Sequence, residues 1–190
     1  LFRSVNIPGG GAVRGLMDYT HLDGSEQPLV FDATGKLYVE APAGSGVLQQ
    51  ADPESTVTLP PNTWMNGAAA YDRAYLAFGD GKAGVATPAS FDGTHLDPVT
   101  LAAPAGVSSA ADAAAGGNIA AGVRYGVVLY QTRAGSLTAP QAPFQWTAAG
   151  GRQVTVSNLP IGPAQVAARV VAFTVAGGSS AGPYFYIGEP

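Results

Sequence analysis

The chain has 190 residues, of which 46% are hydrophobic and only 12% charged, with a net charge of −4. It has no cysteine, which excludes thiol nucleophiles, zinc-thiolate and iron–sulfur centres and disulfides. The nine Lys and Arg are scattered, so no basic stripe follows a phosphate backbone, and nucleic acid is not an expected partner.

No apolar run approaches the roughly 18 residues of a membrane-spanning helix, so no membrane span is expected. Gly (26) and Pro (15) make the chain turn-rich, while its apolar content is too high for disorder. It opens Leu1-Phe2-Arg3 without a Met or a leader, as a piece of a longer protein would.

Taken in chain order, the elements read as strands. Gly9-Gly10-Gly11 follows Ile7-Pro8 and lacks the Lys-Ser/Thr ending of a phosphate loop, so it reads as a connector. Leu29-Val30-Phe31-Asp32 and Lys36-Leu37-Tyr38-Val39-Glu40 flank a Gly-containing turn and predict a hairpin. Ala68-Ala69-Ala70-Tyr71 and Arg73-Ala74-Tyr75-Leu76-Ala77-Phe78 predict two more strands. Val85-Ala86-Thr87 and Pro88-Ala89-Ser90-Phe91 follow, before the turn at Asp92-Gly93. Turn signals every 8–12 residues or so are those of an all-β fold.

The first hundred residues echo themselves. Thr-His-Leu-Asp occurs at residues 20–23 and 94–97 and holds both histidines, His21 and His95. Phe31-Asp32 and Tyr71-Asp72 lie 40 residues apart, each ahead of a strand and a Gly-rich turn. Such a period resembles that of β-propeller blades. Two blades do not close a ring, so the segment is either part of a larger ring or a small sheet domain of its own.

The Ala-rich stretch 108–121 contains Gly116-Gly117-Asn118 and lacks bulky residues at helical spacing. It is expected to be a loop, with one short helical turn over residues 109–115. Beyond it, strands are expected over residues 123–132, 144–147, 153–157, 165–175 and 183–187.

This half resembles a fibronectin type III domain. The likeness rests on Val154-Thr155-Val156-Ser157-Asn158-Leu159-Pro160 and on Arg169-Val170-Val171-Ala172-Phe173. In the family a Leu-x-Pro ending leads into Tyr-x-Val-x-Val-x-Ala. Ala172 takes the last position of that pattern, Val170 and Ala168 its valines, and Val166 the place of the corner tyrosine. The tyrosine that ties the corner to backbone is thus missing. Pro160 and Pro163 are expected to stiffen the turn instead. The family's early-strand tryptophan is not evident. The resemblance implies a β-sandwich over the last 90 or so residues.

Each candidate chemistry has a plainer structural account. His21 and His95 beside Asp suggest a metal pair. If the tetrapeptide marks a duplicated unit, however, the two imidazoles occupy equivalent places far apart, and no metal is expected. Gly178-Ser179-Ser180-Ala181-Gly182 spells Gly-x-Ser-x-Gly, but it lies between expected strands with no α/β pattern and no helix to follow, so it is not expected to be a serine-hydrolase elbow. Glu26, Glu40, Glu54 and Glu189 nominate no catalytic pair. Asp18, Asp23, Asp32, Asp80 and Asp92 lie in or near turns, where Asp bonds its own backbone. Asp23-Gly24-Ser25 and Asp92-Gly93-Thr94 lack calcium-loop spacing. Trp64, Tyr184 and Tyr186 are the candidate contacts for a ligand or partner, with Tyr184 and Tyr186 expected on one strand face.

The expected architecture is an all-β chain: a repeat-bearing β-sheet domain over residues 1–97, then a fibronectin III-like sandwich over 98–190. The expected function is non-catalytic. It is a structural, assembly or adhesion module, extracellular or in a virion, within a larger bacterial-surface or phage-tail-like assembly. Its partners would be other protein subunits, including copies of itself, and no cofactor is implied. The alternative is a carbohydrate-binding accessory module of a secreted enzyme, with surface glycan as the partner.

Overall fold

The computed structural model describes residues 6–81 and 88–186. Fourteen strands and no helix occur among them, so the chain is all-β. The strand expected at residues 85–87 and the end of the one at 183–187 lie outside the described residues. None of the described residues forms a helix long and apolar enough to cross a membrane. The chain divides into two compact units, Leu1–Thr100 and Leu101–Pro190.

Unit 1 is two four-stranded antiparallel meanders. The first runs β1 (Val13–Thr20), β2 (Glu26–Asp32), β3 (Leu37–Glu40) and β4 (Leu48–Gln50), each strand paired with the next. The second repeats that order with β5 (Trp64–Ala70), β6 (Arg73–Gly79), β7 (Ala89–Phe91) and β8 (Leu96–Pro98). Alternation sends Leu29, Phe31, Leu37 and Val39 from the first sheet into one core. Ala74, Leu76, Phe78 and Phe91 enter it from the second sheet. The opposite face of the first sheet carries a smaller cluster of Val30, Tyr38 and Leu48, with Ile7 packed on it.

The two sheets interlock where β1 meets β5. A Cβ built at Gly15 would stand 2.5 Å from Met65 Cβ, and one at Gly67 would stand 2.5 Å from Met17 Sδ. Each strand therefore offers a methionine to a glycine on the other. Neither glycine has a positive φ, so space rather than backbone freedom requires glycine there.

The 40-residue echo does not mark this repeat. Phe31-Asp32 ends β2, with Phe31 fully buried, whereas Tyr71-Asp72 forms the turn between β5 and β6, with Tyr71 89% exposed. Tyr71 and Asp72 have φ of 52° and 57°, the paired left-handed residues of a type I′ hairpin turn.

Unit 2 has a sheet ordered β11-β10-β13-β14 and a second sheet of β12 and β9. The strands are β9 (Ser109–Ile119), β10 (Gly122–Thr132), β11 (Phe144–Ala148), β12 (Arg152–Ser157), β13 (Val166–Phe173) and β14 (Phe185–Tyr186). Val128, Phe144, Trp146, Ala148 and Phe173 form the buried core. The Trp146 ring meets Phe173 edge-on at 4.8 Å. Val154 and Val156 of β12 and Ala110 and Ile119 of β9 close the core from the other sheet.

The loop expected at residues 108–121 is corrected: Ser109–Ile119 is an eleven-residue strand, with no helical turn. Its pairing with β12, from Ser157↔Ser109 to Arg152↔Ala115, sets its conformation. Alanine has little intrinsic strand preference, and the partner strand overrides it. At the corner before β13, the Val166 N–H donates to the Pro163 carbonyl at 3.0 Å, a backbone bond where the tyrosine hydroxyl is absent.

The interlock makes a stability prediction. Gly15→Val should cost about 1–3 kcal/mol by overpacking, and Met65→Ala about 2–5 kcal/mol by leaving a cavity. The double variant should lose less than the sum, because the smaller residue 65 makes room for the new valine. Urea denaturation of the four proteins checks this, and strict additivity would show that the two positions do not touch.

Candidate functional site

Most carboxylates of this chain hold backbone. Asp23, Asp32, Glu40, Asp52, Asp72, Asp92 and Asp112 each accept at least one main-chain N–H. Asp32 is the most deeply placed. It is 1% exposed, and its Oδ1 accepts the N–H groups of Thr34 and Lys36, both at 2.9 Å. The Tyr38 hydroxyl donates to its Oδ2 at 3.3 Å. Burial opposes ionisation of Asp32, but those donors outweigh it and hold the carboxyl below the usual range. The same carboxylate raises the Tyr38 phenol, an effect second to burial.

Asp92 repeats the arrangement. Its Oδ1 accepts the N–H of Thr94 at 3.0 Å and of His95 at 2.6 Å. Burial again opposes ionisation, and the His95 and Thr94 amides with the Arg73 charge prevail, lowering its pKa. This match exposes a repeat the tetrapeptide hides. Phe31-Asp32-Ala33-Thr34-Gly35-Lys36-Leu37 and Phe91-Asp92-Gly93-Thr94-His95-Leu96 are equivalent hairpins, 60 residues apart. In each, a buried Phe precedes the Asp, and a buried Leu opens the next strand. The signal that finds it is Phe-Asp followed by Thr and Leu.

The two Thr-His-Leu-Asp copies are not equivalent. The first leaves β1 for the β1–β2 turn; the second leads into β8. Nor do their histidines lie in remote corners, as duplication would put them. His21 Nδ1 is 3.2 Å from Asp72 Oδ1, and its Nε2 is 3.2 Å from Gln27 Oε1. His21 Cε1 lies 3.2 Å from where a Cβ of residue 93 would stand. His95 Nδ1 lies 3.6 Å from Asp92 Oδ2 in that same turn. Arg73 joins them, with Nη2 3.3 Å from Asp92 Oδ2 and Nη1 3.9 Å from Asp97 Oδ2.

The buried Tyr19 completes the corner. Its hydroxyl donates to the Asp72 carbonyl at 2.7 Å. Burial, then the Asp72 carboxylate, pushes its pKa up to about 12, so it is a neutral donor rather than a base. The corner thus ties the β1–β2 turn to the β5–β6 turn. Among the described residues no group of three or more His, Asp or Glu could hold a metal ion.

The candidate aromatics sit in different units. Trp64 opens β5 and is 55% exposed, with the Arg14 guanidinium 5.0 Å from its ring centre. The outer face of β5 and β6 also carries an apolar groove of about 420 Å³, between Ala68, Tyr75, Pro88 and Val99. In unit 2, Tyr184 precedes β14 rather than lying in it. Its hydroxyl donates to the Ser180 carbonyl at 2.7 Å, so the side chain closes a local turn. Burial, then the neighbouring Tyr125, raises its pKa. Tyr186 is half exposed, opposite Ala172 of β13. Arg14, which sequence reading did not single out, is distinguished only by its place over Trp64.

Comparison with family models, with curated proteins and with solved structures finds no match to this chain.

The Asp32 turn sets an acid prediction. A carboxyl more acidic folded than unfolded contributes fully above its ordinary value of 3.8 and loses that contribution as pH falls through the folded value. Stability should therefore decline below pH 3.8, and Asp32→Asn should flatten that decline. At neutral pH Asp32→Ala should cost about 2–3 kcal/mol by stranding buried donors. Hydrogen exchange at the Thr34 and Lys36 amides reports the change locally. Unchanged protection in Asp32→Ala would remove the carboxylate from its assigned place.

Proposed function

We propose that the chain is a non-catalytic structural module, serving assembly or adhesion within a larger bacterial-surface or phage-tail-like particle, extracellular or in the virion. The observation that carries this is an edge strand of unit 1, β5, whose residues 68–70 lie beyond the Gly15 and Met17 contacts of β1. Among the described residues β5 pairs only with β6. Its sequence, Trp64-Met65-Asn66-Gly67-Ala68-Ala69-Ala70, has no charge and no proline, and all but Met65 are exposed. Isolated domains protect such edges with lysine, proline or bulges. An edge left unguarded suits a neighbouring subunit, including another copy of this chain.

The strand order of unit 2 supports a fibronectin III-like reading. β10, β13 and β14 lie side by side, as strands C, F and G do in an immunoglobulin-type sandwich, and β9 pairs with β12 as B does with E. β11 on the far side of β10 takes the place of C′. Unit 1 carries the four-stranded layout of a propeller blade twice. The two share one core and so read as a small sheet domain of their own. Use of carboxylates as turn staples agrees with a non-catalytic role.

One observation favours a second reading, a carbohydrate-binding accessory module. A tryptophan that is 55% exposed offers a stacking surface, and large aromatics are ordinarily spent on the core.

Analytical ultracentrifugation separates the outcomes. The structural reading expects concentration-dependent association at micromolar protein. Ala68→Lys, which places a charge on the exposed edge, should shift the population to monomer, and Ala68→Ser should not. A chain that stays monomeric throughout, or an Ala68→Lys variant that associates as well as the parent, would count against β5 as the assembly edge.

A further inference from the structure

We infer that Arg14 and Trp64 form a subsite for an acidic saccharide, a pyranose ring bearing a uronate-type carboxylate. The inference rests on the carbohydrate-binding reading and names its ligand class.

Three features of the place carry it. The first is the aromatic surface. Trp64 is 55% exposed at the start of an outer strand. The apolar C–H face of a sugar ring stacks on the electron-rich face of an indole, while the sugar hydroxyls stay in water.

The second is the state of the Arg14 guanidinium, which stands 5.0 Å from the ring centre and is held there by cation–π attraction. Arg73 spends its guanidinium on carboxylates, and Arg124 and Arg152 spend theirs on backbone carbonyls. Among the described residues Arg14 has neither hydrogen bond nor ion pair. Its Nε is enclosed without an acceptor. The two terminal nitrogens are not enclosed in that way, so they are the donors that reach solvent. A planar fork with two free donors matches a carboxylate.

The third is the space beside the ring. Position 79 lies directly across the strand pair from Trp64, in register. It is glycine, and a Cβ built there would meet nothing within 4 Å. A side chain at that position would normally flank the indole. The gap leaves that flank of the indole open, and a saccharide ring lying there would bring its carboxylate toward Arg14. Because the cation is already placed over the aromatic, little ordering cost is left for binding.

The test uses the whole chain, with oligogalacturonate and its fully methyl-esterified form as probes in isothermal titration calorimetry. The two have the same sugar backbone and differ in charge. The acidic form should bind more tightly than the ester by about tenfold or more, the weight of a charge-assisted contact. Arg14→Gln should abolish that preference, and Arg14→Lys should restore only part of it. Trp64→Ala should weaken both probes. Gly79→Leu should weaken both by filling the flank, with its thermal melt unchanged. Circular dichroism melts of each variant separate a lost site from a lost fold.

Equal binding of both probes would overturn the acidic-ligand inference and leave the carbohydrate reading standing. An acid preference that survives Arg14→Gln would overturn the assignment of Arg14. Absence of binding by either probe would overturn the inference and the carbohydrate reading together.

Discussion

The fold depends on carboxylates that accept main-chain N–H groups. Short strands joined by glycine-rich turns leave amide donors at every bend, and a buried donor without an acceptor costs more than a bond gains. Asp32 answers this inside unit 1, taking the Thr34 and Lys36 amides at the bend between β2 and β3. Glu40 does the same for the next bend, accepting the Gly44 and Gly46 amides. Asp92 repeats the device in the second sheet. With the turns fixed, register follows, and alternation then sends Phe31, Leu37, Phe91 and Leu96 into one core.

The same donors set the charge of these acids. In Asp32 and Asp92 the donors favour the ionised form and hold it there. The histidine corner follows the same logic. His21 and Tyr19 both reach Asp72 across the gap between two turns, and Arg73 reaches Asp92 and Asp97. These bonds fasten the β1–β2 turn to the β5–β6 turn.

Legibility in the sequence tracks how local the determining interaction is. The β2–β3 hairpin is plain, because alternating apolar residues and a glycine turn lie within fifteen residues or so. β9 is hidden, because nothing in its own alanines and glycines favours a strand. Its pairing with β12, more than thirty residues on, makes it one. β1 is hidden for a related reason: Gly15 and Met17 are chosen for their fit to Met65 and Gly67, fifty residues away. The repeated Thr-His-Leu-Asp is conspicuous as text, yet its copies lie in unlike settings. The informative repeat, Phe-Asp then Thr and Leu, is interrupted by one extra residue in the first copy and so escapes a search for identical strings. The two tryptophans, Trp64 and Trp146, differ in sequence chiefly by the Pro60-Pro61-Asn62-Thr63 approach to the first. One is half exposed beside an arginine, and the other lies in the core of unit 2.

The same economy explains why Arg14 stands apart. In a chain with 12% charged residues, a charge placed near the core normally has a fixed electrostatic partner, since desolvation without one is costly. Among the described residues Arg14 keeps its Nε enclosed without an acceptor, and its guanidinium stands over an indole. An aromatic face compensates a cation less fully than a carboxylate does. Local stability would be served by an acid on β5 or β6 opposite Arg14, yet the register places Gly79 across from Trp64, and Asn66 and Ala77 at the next positions on that face. A cation without an acid among the described residues, beside an exposed ring and an open flank, suits the acidic ligand inferred for it.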